Sequence, residues 1–274
     1  MSWVEAPSGP VQPRPLNDTG VTWSGQAPSG NATVCDPAHP AGQDCFHGRD
    51  AAARVGAGVL EKVGHSAPDL DPAHGHVNGF DFTKISNSGN PLPASATLGS
   101  GPDDWACTRD NVTGLIWEVK VNDATHLRHM NHTYTWYDTD PVTNGGEAGS
   151  IGGDTCNGTL AAAPYDNRCN TQHYVEAINA LTGAGRLCGA TDWRVPTIKE
   201  LENLADFGRA NPSIDPHYFP NTPVVASASN FWSSTPRAGQ SHRAWFMRFS
   251  GSQMGATYIE RVNGYYLRLV RTAL

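Results

Sequence analysis

The sequence predicts an α+β fold in which two helices lie beside a small antiparallel sheet. Three observations carry this. Beyond residue 80, strand-like runs come first, two helical segments follow, and further strand-like runs close the chain, so helices and strands do not alternate. Glycine (29) and proline (20) are frequent, which suits a turn-rich fold, yet their total stays below that of a disordered chain. Eight tryptophans, spread from Trp3 to Trp245, call for a buried core. A doubly wound nucleotide-binding sheet is excluded by the element order. A coiled coil and a membrane bundle are excluded because no heptad persists and no apolar run approaches about 18 residues.

The elements follow in order. Residues 1–50 read as an irregular, proline-punctuated arm, and a short apolar pattern runs over 51–63. GFDFTKIS (79–86) reads as a strand, and the long loop 86–104 is the candidate boundary between a lead-in segment, 1–95, and a main domain, 96–274. In 111–120, Leu115, Trp117 and Val119 alternate with Ile116, Glu118 and Lys120, the pattern of a half-buried strand. A second strand is expected over 132–138, where Tyr134 and Trp136 alternate with Thr135 and Tyr137. The first helix runs from Thr171 to Leu181, with Tyr174, Val175, Ile178 and Leu181 on one side and Gly183 as its stop. The second opens at Thr197 with a capping box to Glu200, buries Ile198, Leu201, Leu204 and Ala205, and meets a left-handed stop at Gly208. NFWSSTP, RAWFMRFSG, ATYIERV and GYYLRLVR then form a hairpin meander.

Charge is sparse, 16% of residues, and unevenly placed. The net charge is −7, but residues 231–274 carry six Arg, no Lys and one Glu, giving +5 there and −12 elsewhere. Arginine interleaved with Trp245, Phe246, Tyr258, Tyr265 and Tyr266 is the composition of a recognition surface. The alternative is a core sheet whose arginines simply point outward. Six cysteines allow fifteen pairings. The short spans favour Cys35–Cys45 and Cys156–Cys169, which leaves Cys107–Cys188; six free thiols in a cytosolic protein is the other possibility. Disulfides imply export to the cell surface or the extracellular space. The polar, proline-rich start has no secretory signal, so the signal or anchor is expected to be missing from this chain.

No catalytic motif is present: there is no G-x-S-x-G, P-loop or H-E-x-x-H. GHSAP (64–68) and GQSHR (239–243) only place Ser near Gly or His. His74, His76, Asp69, Asp71 and Asp81 offer metal-type ligands, but the turn-forming Asp and Pro residues explain that cluster, and no metal or other cofactor is expected. Asp192 and Arg194 flank Trp193, which reads as an anchor between helix and sheet. Glu200 and Glu202 face different ways on a helix.

Four runs resemble a known family: CTRDNVTGLIWEVK from Cys107, CGATDWRVPTIKEL from Cys188, FWSST from Phe231 and YLRLVR from Tyr266. Together they resemble the Lcl C-terminal domain family of bacterial exported proteins over about residues 80–274. The resemblance implies a C-type lectin-like fold, related to formylglycine-generating enzymes and to variable proteins of diversity-generating retroelements. The catalytic cysteines of the former have no counterpart here, so the expectation is a binding protein and not an enzyme. The resemblance implies ligand binding by Arg248, Ser252, Gln253, Thr257, Tyr258, Glu260, Arg261, Asn263 and Tyr265, the segment that such retroelements diversify. The expected partner is a protein or an anionic glycan, without nucleic acid, with a membrane only through a removed anchor, and with a homo-oligomer as one arrangement. The rivals are a glycan- or peptide-modifying hydrolase using Asp192 or the 69–81 cluster, and a structural subunit of a surface assembly.

Overall fold

The computed structural model describes residues 16–21, 23–25, 30, 32, 43–47, 79–224, 229–250 and 254–273. Cys35, and with it the proposed Cys35–Cys45 pair, lies outside the described residues, as do residues 51–78 with most of the His/Asp cluster. So do Ser252 and Gln253.

The architecture is α+β, with two antiparallel sheets where one was expected. The first holds β1 (Phe82–Ser86), β2 (Pro91–Leu92), β3 (Trp105–Asp110), β4 (Leu115–Glu118) and β8 (Val270–Thr272) in the order β2-β1-β3-β4-β8. The second is a meander of β5 (Asn230–Pro236), β6 (Arg243–Arg248) and β7 (Gly255–Glu260). Residues 86–104 therefore connect two paired strands of one sheet, since β1 pairs with β3 from Phe82 opposite Asp110 to Ser86 opposite Trp105. The β3–β4 turn is built by Asp110, whose carboxylate accepts from Val112 N, Thr113 N and Thr113 Oγ1, while Gly114 takes φ 69°.

Strand β4 departs from expectation because both of its faces are buried. Leu115 and Trp117 enter one core cluster with Phe82, Leu201, Phe219, Phe231 and Met247. Ile116 enters the other with Trp136, Tyr174, Trp193, Trp232 and Phe246. Glu118 and Lys120, placed on the solvent side by alternation, are instead fully buried. They compensate one another: Lys120 Nζ donates to Glu118 at 2.9 Å and to Tyr174 Oη at 3.0 Å, and Leu269 N donates to the other Glu118 oxygen. Arg268, also buried, donates to the Glu118 carbonyl.

Helix α1 (Thr171–Asn179) is capped by Asn170, which accepts from His173 N. It ends before the expected Leu181, and its buried side is Thr171, Tyr174, Ala177 and Ile178. Trp193 ties its end to the sheet, exchanging two hydrogen bonds with Asn179. Helix α2 (Ile198–Glu202) has the capping box in full, and Ile198, Leu201, Leu204 and Ala205 are all buried. It ends at Asn203, so Gly208 is not its stop. A Cβ at Gly208 would lie 2.2 Å from the Gly20 carbonyl; close backbone approach requires this glycine, not a left-handed turn.

Two further corrections concern strands. Residues 132–138 form no ladder; Tyr134, Thr135 and Tyr137 make single bridges to Tyr265, Asn170 and Gly149. Both alternating sets, Tyr134 with Trp136 and Thr135 with Tyr137, are at least half-buried, so this extended segment threads the interior. The terminal GYYLRLVR run is not a fourth meander strand. Tyr266 bridges to Phe231 and Val270–Thr272 then joins β4, which links the two sheets. Disulfides Cys107–Cys188 and Cys156–Cys169 form as proposed. The first pins β3 to the turn after α1, and the second closes a loop of the 150s.

Candidate functional site

Strand β5 ends at Pro236, and a turn through Gly239 (φ 73°) returns the chain as β6. Backbone bonds from Arg237 N to Arg243 O, and from Arg243 N to Gln240 O, fix that turn. Across the next pair of strands, Trp245 stands directly opposite Tyr258, the rings meeting edge-on at 5.2 Å. The Arg237 guanidinium lies 3.8 Å from the Tyr258 ring centre and 5.7 Å from that of Trp245. Arg243 approaches the same tyrosine at 5.8 Å and forms an ion pair with Glu260. Its own backbone amide and Arg243 hold the Glu260 carboxyl below the usual range. Among the described residues nothing hydrogen-bonds to the Arg237 guanidinium, and no carboxylate pairs with it. The face thus carries an aromatic pair with one fixed, unneutralised cation.

Pro236 also lines a cleft of about 730 Å³. Trp136, Tyr137, Val175, Val195 and Pro236 supply its apolar surface, while Gln172 and Glu176 supply polar groups. Val175, assigned to the buried stripe of the first helix, is half-buried and faces this cleft. Arg194 lines it too, but its guanidinium forks onto Glu200, the carboxylate of the α2 capping box. A concave, mainly apolar hollow with a few polar groups is the usual form of a ligand pocket.

The seven described residues of the nine named from the sequence do not form one patch. Successive side chains of a strand point to opposite faces, so β7 divides them. Tyr258 and Glu260 belong to the Arg237 face. Thr257 lies opposite Phe246, on the side where Arg248 donates to Asn230 and Tyr265 packs on Phe246 and Trp232. Arg261 is 2% exposed. Its guanidinium stacks on Trp136 at 3.8 Å and donates to the carbonyls of Asn144, Glu147 and Arg243. It supports the 144–149 loop from beneath. Asn263 closes the turn after β7 by donating to the Glu260 carbonyl.

Of the residues weighed for chemistry, Asp192 and Asp81 are described and are committed elsewhere. Both Asp192 carboxylate oxygens accept from Arg271. Asp81 accepts from Asn111. Asp154, Cys156 and Cys169 lie close together, but the two sulfurs are bonded to each other and offer no thiolate to a metal. Sequence reasoning counted Arg237 but did not place it, and it missed the cleft. A cleft shared by four separate segments leaves no periodic trace.

Fold and site define a disulfide-braced α+β domain that displays an aromatic and cationic face beside a cleft. The family model of the Lcl C-terminal domain matches residues 106–271, and the chain belongs to that family. No curated protein matches the chain. β1 and β2 lie ahead of the matched segment although they complete its sheet.

Proposed function

We propose that this is an exported, surface-displayed binding domain that holds an anionic group of a glycan or protein at the Arg237–Tyr258 face, with the neighbouring cleft receiving the rest of the ligand. The observation that carries this reading is Arg237. Its guanidinium is oriented by stacking, and among the described residues no acid neutralises it, a state that favours bidentate capture of carboxylate, sulfate or phosphate. The two disulfides support export, because such bonds persist in oxidising compartments.

The test is retention on an array of sulfated glycans and acidic peptides. Arg237→Ala and Tyr258→Ala should each weaken binding by about tenfold, the loss of one charge-assisted contact, with the melting temperature unchanged. Full retention by both variants would sink the reading. Mass spectrometry of the native protein tests export: six free thiols would remove its support.

The lectin-like relationship and diversification by a retroelement belong to the same proposal. Every residue of β7 is half-exposed and the strand is a sheet edge, so its side chains other than Ala256 and Ile259, which pack against the cores, can change without opening them. Sister copies should then vary at Thr257, Tyr258 and Glu260 while keeping Arg261. Free variation at 261 would contradict this.

A further inference from the structure

Strand β1 carries a lysine in an unusual setting. Lys84 is 8% exposed, and its Nζ lies 4.0 Å from the Trp105 ring centre and 6.0 Å from that of Tyr218. One hydrogen bond is made, to the Ala96 carbonyl at 2.7 Å. An ammonium has three donors. Among the described residues no carboxylate lies within ion-pair distance of it; Asp215 acts only through its field. Burial makes this ammonium easier to deprotonate than an ordinary lysine, and Asp215 partly opposes that.

The same lysine lines a hollow of about 550 Å³, separate from the cleft beside Arg237. Leu98, Trp105, Pro216, Tyr218 and Pro220 form its apolar walls. We propose that this hollow is a second binding site, which takes a carboxylate carried on a flat apolar body. The carboxylate accepts from the unused Nζ donors, and the body lies between the prolines and Trp105. A monoanion fits better than a phosphate, because a single cation faces it and the buried Asp215 repels a second negative charge. Desolvating a cation that has only one carbonyl and a ring face as partners is costly, and a bound carboxylate would reduce that cost.

The chain has four lysines, Lys62, Lys84, Lys120 and Lys199, so carbon-13 labelling at lysine Cε gives a readable spectrum of the intact protein. Benzoate is the probe and benzamide its neutral counterpart. Benzoate should shift the Lys84 signal saturably and raise its pKa, and benzamide should leave both in place. Lys84→Met should weaken benzoate binding by about tenfold. Ala94→Phe, which fills the hollow and keeps the lysine, should abolish the shift and serves if the first variant does not fold. A short peptide ending in Phe, as free acid and as amide, distinguishes a chain terminus from a small free acid as the source. Binding of either acid supports the site. A Lys84 signal that benzoate never moves, or that benzamide moves equally, overturns it.

Discussion

Arg237 and Arg261 show how one residue type serves two ends. Both stack at 3.8 Å on an aromatic ring, but carbonyls accept from all three nitrogens of the Arg261 guanidinium, and among the described residues nothing accepts from that of Arg237. Arg261→Ala should therefore lower stability by about 2–3 kcal/mol in urea titrations, through lost packing and orphaned carbonyls. Arg237→Ala should leave that titration unmoved. The sequence showed six arginines among aromatics and could not tell these two apart, because the difference lies in the 144–149 loop, over a hundred positions away. Asp206 gives a pH signature. Burial raises its pKa from 3.8 to about 6, with Arg209 opposing. Its protonated form is favoured by the fold, so stability is greatest below the unfolded pKa and falls as pH rises from about 4 to about 6. Asp206→Asn should flatten that slope in pH-dependent melting; an unchanged slope would assign it to other groups.

At the scale of elements, β4 holds the main discrepancy between pattern and structure. Its alternation was legible and its strand is real, but the second face is covered by α1 and the 268–270 segment, which local pattern cannot reveal. The cost of burying Glu118 is met by Lys120, Tyr174 and the Leu269 amide, so the pair acts as a unit. Lys120→Met alone should cost about 3–5 kcal/mol by leaving a buried carboxylate uncompensated, and adding Glu118→Gln should restore much of it. Chemical denaturation of the single and double variants reads both effects, and additive losses would show that the two side chains act independently. The capping box of α2 was fully legible because its two partners are three residues apart. The division of β7 between two faces was legible in principle from its period of two, but a site named as a run of positions ignores that period.

For the whole molecule, two sheets share one pair of cores, and disulfides hold what short helices cannot. In the chain-entropy account, Cys107–Cys188, 81 positions apart, should contribute about 4.5 kcal/mol, and Cys156–Cys169, 13 apart, about 3 kcal/mol. Paired Ser variants, compared by urea unfolding, check that order; equal losses would show that loop length does not set it. The fold class, both of these bridges and the family-bearing runs could be read from sequence. The second sheet could not, because the chain re-enters the first sheet only at its final strand. That last feature constrains how the protein is made. Until Val270–Thr272 emerges from the ribosome, β4 lacks its second neighbour and the two layers lack their clasp, so this domain cannot complete its tertiary structure. A domain whose layers stay unclasped until this strand has been made remains threadable up to that point.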